Sequence, residues 1–262
     1  MNTERVSNHI VSWLKEYAEK ANVTGFVVGV SGGVDSAVTS ILCAKTGLQT
    51  LCVEMPIYQE ESQVTRAQNH IESIKNKFKN VSSTTVDLTD TFEAFKNANQ
   101  QEKGSPKLDL ALANTRARLR MSSLYYLAGL NGLLVAGTGN KIEDFGVGFY
   151  TKYGDGGVDL SPIADLLKSE VFELAKHLHV IDSIQNAAPT DGLFGDSRTD
   201  EDQIGASYDE LEWAMKMQDT GKTHEDFSER KREVFIIYSR LNRMNQHKMN
   251  PIPVCEISSE LK

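Results

Sequence analysis

The stretch FVVGVSGGVDSAVTSILCAK, residues 26–45, decides how the rest of the chain is read. Phe26 to Val30 is short, β-branched and apolar on both faces, as a buried parallel strand must be. Ala37, Val38, Ile41, Leu42 and Lys45 then recur at helical spacing, and Gly47 is a suitable stop. Between strand and helix lies SGGVDS. A helix begins there with unpaired backbone N–H groups and the positive end of its dipole, which together favour an anion. Gly32 and Gly33 let the backbone approach a phosphate without a Cβ clash, and Ser31 and Ser36 add hydroxyl donors. Asp35 is the odd member, because a carboxylate suits an anion site only when a cation is shared; Mg²⁺ held by one or two carboxylates plus phosphate oxygens is the usual solution.

Working outward, Val6, Ile10, Leu14, Tyr17 and Ala21 predict an amphipathic helix before the strand. Downstream, LQTLCVEMPI and SSTTVDLT read as strands around a helix carrying Val64, Ala67, Ile71, Ile74 and Phe78. TFEAF opens a further helix, residues 97–107 are a polar loop, 108–129 a long helix and 133–136 another buried strand. The strand leads into GTGNKIED and the glycine-rich, aperiodic GFYTKYGDGGVDLSP, then a helix through Val171, Leu174, Ala175 and Leu178. After the acidic loop PTDGLFGDSRTDEDQ come two helices, at 208–217 and 230–244. Strands alternating with helices predict an α/β chain: a doubly wound parallel sheet with helices on both faces and ligands at the carboxyl ends of its strands. No linker or repeat divides it, so residues 1–262 are expected to form a single domain.

Composition limits the partners. A net charge of −8 argues against coating nucleic acid, so phosphates must be met by a few placed cations and backbone amides. Cys43, Cys52 and Cys255 are odd in number with no C-x-x-C pair, which suggests a reducing, cytoplasmic compartment. The N-terminus lacks an unbroken apolar signal region, and no run of 18 apolar residues offers a membrane span.

Neither G-x-x-x-x-G-K-[ST] nor G-x-G-x-x-G is present. SGGVDS resembles instead the pyrophosphate-binding loop of the ATP pyrophosphatase superfamily, which adenylates an acid or carbonyl oxygen and releases pyrophosphate. Three further stretches resemble one of its families, the NAD synthetases, so that the likeness runs from Gly29 to Lys248. In NTRARLRM, Arg116 and Arg120 share a helix face, whereas Arg118 points about 200° from Arg116. In GTGNKIED, Thr138 falls at a strand's carboxyl end and Glu143 follows; Gly139, at a variable position, is a mild departure from the family's pattern. In FYTKYGDGGVDLSPIADLLK, Lys168 opens a helix, a poor place for a cation unless an anion is near. AAPTDGL matches a family loop at Thr190 but departs from it at Asp191 and Gly192, and His247 and Lys248 match a closing His-Lys pair.

The resemblance implies an adenine nucleotide alpha hydrolase-like fold and amidation of deamido-NAD with ammonia, giving NAD, AMP and pyrophosphate through an adenylated intermediate. It implies ATP contacts at Gly29, Val30, Ser31, Gly32, Gly33, Val34, Asp35, Ser36, Thr138, Lys168 and Thr190, and a Mg²⁺ ion on Asp35 and Glu143. Arg118, Lys152, Asp159, His247 and Lys248 would meet deamido-NAD, and Asp155 would accept a proton from the incoming nitrogen. A homodimer is also implied. Glutamine-dependent relatives carry an additional amidase-like domain, for which 262 residues leave no room, so the expected donor is free ammonia, or ammonia supplied by a partner. The alternatives are another adenylating amidase or thiolase of the superfamily, or a non-catalytic ATP-binding sensor.

Overall fold

The computed structural model describes residues 1–99, 107–190 and 199–262. Much of the polar loop, together with Asp191, Gly192 and the acidic residues up to 198, lies outside the described residues. Helix α1 (Thr3–Lys20) leads into β1 (Gly25–Gly29), α2 (Val34–Lys45), β2 (Gln49–Glu54), α3 (Glu61–Lys77) and β3 (Val81–Thr85). Helices α4 (Thr89–Ala98) and α5 (Leu108–Asn131) precede β4 (Leu133–Val135). After β4 the chain makes a π-helical turn (Ile142–Val147) and continues through α6 (Lys168–His177), α7 (Asp182–Gln185), α8 (Asp200–Ile204), α9 (Tyr208–Asp219) and α10 (Glu229–Met249).

The four strands are all parallel, in the order β3-β2-β1-β4. Alternation along β1 divides the molecule: Phe26 and Val28 join the core of α1, α2, α3 and α6, whereas Val27 joins the core of α4 and α5 on the opposite face. Helices therefore cover both faces, as the apolar runs required. The chain steps from β1 to β2 to β3 on one side and returns to place β4 on the other. The β1/β4 boundary is consequently the switch point, where the loops leaving two neighbouring strands diverge and leave a crevice.

A third apolar cluster gathers α8, α9 and α10 against Ile142 and Val147 of the π-helical turn. This C-terminal pack lies beside the crevice and braces the turn that emerges from β4. In α1 the buried row is Ser7, Ile10, Leu14 and Ala18, with Tyr17 outside it. That row keeps the three- or four-residue spacing of one helix face, while Tyr17 packs on Trp13 at the surface, 5.6 Å between ring centres.

Candidate active site

The turn from β1 to α2 is held by its own serines. The Ser36 hydroxyl donates to the Gly33 carbonyl (3.0 Å) and accepts from the Ser31 amide (3.2 Å), while the Gly33 amide donates to the Ser31 hydroxyl (3.2 Å). Gly32 has φ +83°, and a Cβ there would stand 2.7 Å from the Gln63 carbonyl, so only glycine fits this bend against α3.

Asp35, in the first turn of α2, meets residues from far along the chain. Lys168, first residue of α6 and almost wholly buried, places its ammonium 2.6 Å from Asp35 and 2.9 Å from Glu143 on the π-helical turn. The fully buried Asn140 donates its side-chain N–H to Asp35 (3.0 Å) and accepts from the Glu143 backbone N–H (3.1 Å), joining the β1 and β4 loops. Tyr208 of α9 donates its phenol to Glu143 at 2.6 Å, and the Lys168 ammonium lies 4.9 Å from its ring centre. Burial pushes the Asp35 carboxyl above its ordinary range despite Lys168. Burial acts the same way on Glu143, but Lys168 and the Tyr208 phenol outweigh it and hold that carboxyl below its range. Lys168 itself is opposed by burial, yet its two carboxylates fix it as a cation.

Two carboxylates already converging on one positive charge suit a small hard cation. Among the described residues no three His, Cys, Asp or Glu side chains are grouped to cage a metal. An ion held by Asp35 and Glu143 would take its other oxygens from substrate and water, as Mg²⁺ does with nucleotides.

These groups line a cavity of about 280 Å³ at the switch point. Its walls include the whole Gly29 to Ser36 turn, Thr138, Asp155, Lys168 and Thr190, so the positions expected to meet ATP and the expected proton acceptor share one space. Asp155 accepts from the Thr151 amide (2.9 Å), and burial raises its carboxyl. The remaining expected residues lie outside that cavity wall, Lys152 and Asp159 on the glycine-rich loop, Arg118 on α5, and His247 and Lys248 on α10. Arg118 donates to the Lys152 carbonyl, Lys152 to the His247 carbonyl, and Lys248 to the carbonyls of Gly148 and Tyr150. Asp159 accepts from the Tyr125 phenol (3.1 Å) and the Val135 amide (2.8 Å), which ties the loop to α5 and β4. Arg116 and Arg120 do lie apart from Arg118: Arg116 sits over the Phe92 ring, and Arg120 donates to the Met55 carbonyl and the Gln59 side chain.

Sequence reasoning gave no role to Asn140, Asp144, Arg66 or Tyr208. Asn140 stood inside a motif already singled out, so its signal was available. Asp144 follows Glu143 and fills the space a side chain at residue 139 would need, since a Cβ there would lie 2.0 Å from its carboxylate. The departure at Gly139 is thus matched by Asp144, whose carboxyl is raised well above its ordinary range by burial and by Glu143, Asp155 and Asp35.

A parallel doubly wound sheet with a glycine-rich anion turn and a two-carboxylate cation position at its switch point defines a nucleotide-binding α/β protein. A family model described as NAD synthase matches residues 6–252, and the chain belongs to that family. Among curated relatives, an NH(3)-dependent NAD(+) synthetase of Finegoldia magna is 40% identical over 81% of this chain and 84% of its own. One of Syntrophomonas wolfei is 36% identical over the full length of both. The solved structure of NMN synthetase from Francisella tularensis superposes with a TM-score of 0.85 at 31% identity, covering 98% of this chain and 100% of that one.

Proposed function

We propose that the chain, as one catalytic unit spanning residues 1–262, amidates deamido-NAD with ammonia at the expense of ATP, forming NAD, AMP and pyrophosphate. The observation that carries this reading is the convergence of Asp35 and Glu143 on one cation beside the SGGVDS turn. That arrangement serves attack at an α-phosphate, where charge must be neutralised as pyrophosphate departs. The curated relatives support ammonia as the nitrogen donor, since they are named NH(3)-dependent and are matched over 84% or more of their own length.

The nicotinate carboxylate is a poor electrophile. One of its oxygens attacks the α-phosphorus of ATP, and the bond to the bridging oxygen breaks toward pyrophosphate. Amides of the SGGVDS turn and the Lys168 ammonium are placed to take the leaving charge. Mg²⁺ on Asp35 and Glu143, when bound, supplies positive charge to the phosphate oxygens. Ammonia then attacks the carbonyl carbon of the mixed anhydride and AMP leaves. Asp155, raised by burial, is a stronger base than an ordinary carboxylate for the proton released. Arg118, Lys152, Asp159, His247 and Lys248 hold the dinucleotide.

Two subunits are expected to associate through α5, a 24-residue helix that buries only Ala113, Ala117 and Ala128 fully and exposes Leu110, Tyr126 and Leu130. Free Cys43, Cys52 and Cys255 favour the cytoplasm. Among the described residues no helix is long and apolar enough to cross a membrane.

A second reading, amidation of the nicotinate mononucleotide to NMN, is favoured by the likeness to the Francisella tularensis protein. One assay separates them: ATP, Mg²⁺ and ammonium are supplied with deamido-NAD or with the mononucleotide, and with glutamine replacing ammonium in a third arm. NAD, AMP and pyrophosphate in the first arm are expected. ADP and phosphate overturn the reaction type, and preferential turnover of the mononucleotide overturns the substrate.

A further inference from the structure

We propose that Arg66 is a binding residue for the pyrophosphate end of ATP, gripping the departing group from the α3 side of the SGGVDS turn. The inference rests on the nucleotide-binding reading of this cavity and adds a residue to it.

The cavity is short of available positive charge. Its walls carry the carboxylates of Asp35, Glu54, Glu143, Asp144, Asp155 and Asp200, against the side chains of Arg66, Arg120 and Lys168. A triphosphate entering such a space needs cations that are not already satisfied. Lys168 is shared by Asp35 and Glu143, which leaves only part of its charge for the phosphates. Arg120 donates to the Met55 carbonyl at 3.0 Å and the Gln59 side chain at 2.8 Å.

Arg66 differs. Its Nε is buried yet has no hydrogen-bond partner among the described residues. Leaving a buried donor unpaired is costly, more so on a charged group, so an arginine held this way is poised for an acceptor from outside the chain. Its position names that acceptor. Arg66 lies one turn after Gln63 on α3, whose carbonyl leaves no room for a Cβ at Gly32, and the Arg66 Cβ lies 3.4 Å from the point a Gly32 Cβ would occupy. The guanidinium stem therefore starts beside the amides that bind an anion, while Lys168 reaches the same turn from α6. A planar fork of N–H donors matches two oxygens of a phosphate, which a lysine cannot do. Bound from both helices, the leaving group is drawn away from the α-phosphorus as the bridging bond breaks.

Equilibrium binding to the full chain tests this without deamido-NAD or ammonia, so failure of the amidation reading would not obscure it. Calorimetry with Mg²⁺-ATP, Mg²⁺-pyrophosphate and AMP is run on the wild type, Arg66→Gln and Arg66→Lys, with melting temperatures recorded beside it. The expected result is at least about tenfold weaker ATP and pyrophosphate binding in Arg66→Gln, with AMP binding unchanged and part of the loss recovered in Arg66→Lys. Equal weakening of AMP and ATP places Arg66 at the nucleoside or in a purely structural role and overturns the proposal. So does unaltered pyrophosphate affinity in either folded variant.

Discussion

Tyr208 holds Glu143 from 65 residues further along the chain, at 2.6 Å. The oxygen it reaches also accepts from Lys168, so the phenol fixes which way the carboxylate faces a shared cation. Removing a hydrogen-bond partner from a metal carboxylate commonly costs one to two orders of magnitude in metal affinity. Tyr208→Phe keeps the ring under Lys168 and removes only the hydroxyl. Its half-saturating Mg²⁺ concentration should rise about tenfold, while turnover at saturating Mg²⁺ stays close to wild type. A Mg²⁺ titration that superposes on the wild type would remove Tyr208 from this role. At this scale the sequence was readable where chemistry is local. Asp35 announced itself by sitting in an anion turn, and Lys168 by opening a helix with the wrong charge for its dipole. Tyr208 and Arg66 carry no such mark: each reaches the site only because helices packed elsewhere deliver it, and their neighbours in sequence are ordinary amphipathic residues.

Helices α2 and α3 are pinned across their interface by a polar contact within an apolar core. His70 Nε2 lies 2.9 Å from the Ser40 hydroxyl, which also donates to the Ala37 carbonyl, and both side chains are buried. Burial, with Lys77 nearby, lowers the His70 imidazole from 6.5 to about 4. The neutral ring is thus the folded form. The unfolded chain takes up the proton near pH 6.5, so stability present above that pH is lost progressively as pH falls toward 4, by at most about 3 kcal/mol. Urea unfolding between pH 7 and 4 should show this slope, and His70→Gln should flatten it; equal slopes would exclude His70 as the source. Elements themselves were largely legible, because strand and helix periods differ and glycines mark their ends. The exceptions have physical causes. The buried face of α1 runs through Ser7, Ile10, Leu14 and Ala18, and Tyr17 lies off it beside Trp13 at the surface, a choice of face made by the packing of α2 and α6 rather than by spacing alone. The π-helical turn bearing Glu143 is too short to show a period of its own, and α9 and α10, distant in sequence, pack on its Ile142 and Val147.

On the scale of the whole molecule, α5 is left unfinished. A long helix with Leu110, Tyr126 and Leu130 exposed at 58, 70 and 68% is expected to be covered by a second copy, and sedimentation should return a dimer at micromolar concentration. Tyr126→Glu combined with Leu130→Glu should give a folded monomer. A monomeric wild type would refute the assignment. The sequence marks 108–129 as a long helix, but which of its residues face solvent depends on how α4 and the sheet divide its circumference.

The placement of β1 beside β4 also has a temporal side. Asp35 and Asn140 are separated by 105 residues and Asp35 and Lys168 by 133, so contacts that complete the site have long sequence separation. A chain emerging from synthesis can form the anion turn between β1 and α2 early, yet its carboxylate has no counter-charge until β4 pairs and α6 docks. Nucleotide therefore adds stability by mass action only to the finished fold. ATP becomes, for this protein, a reporter of completed folding as well as a reactant.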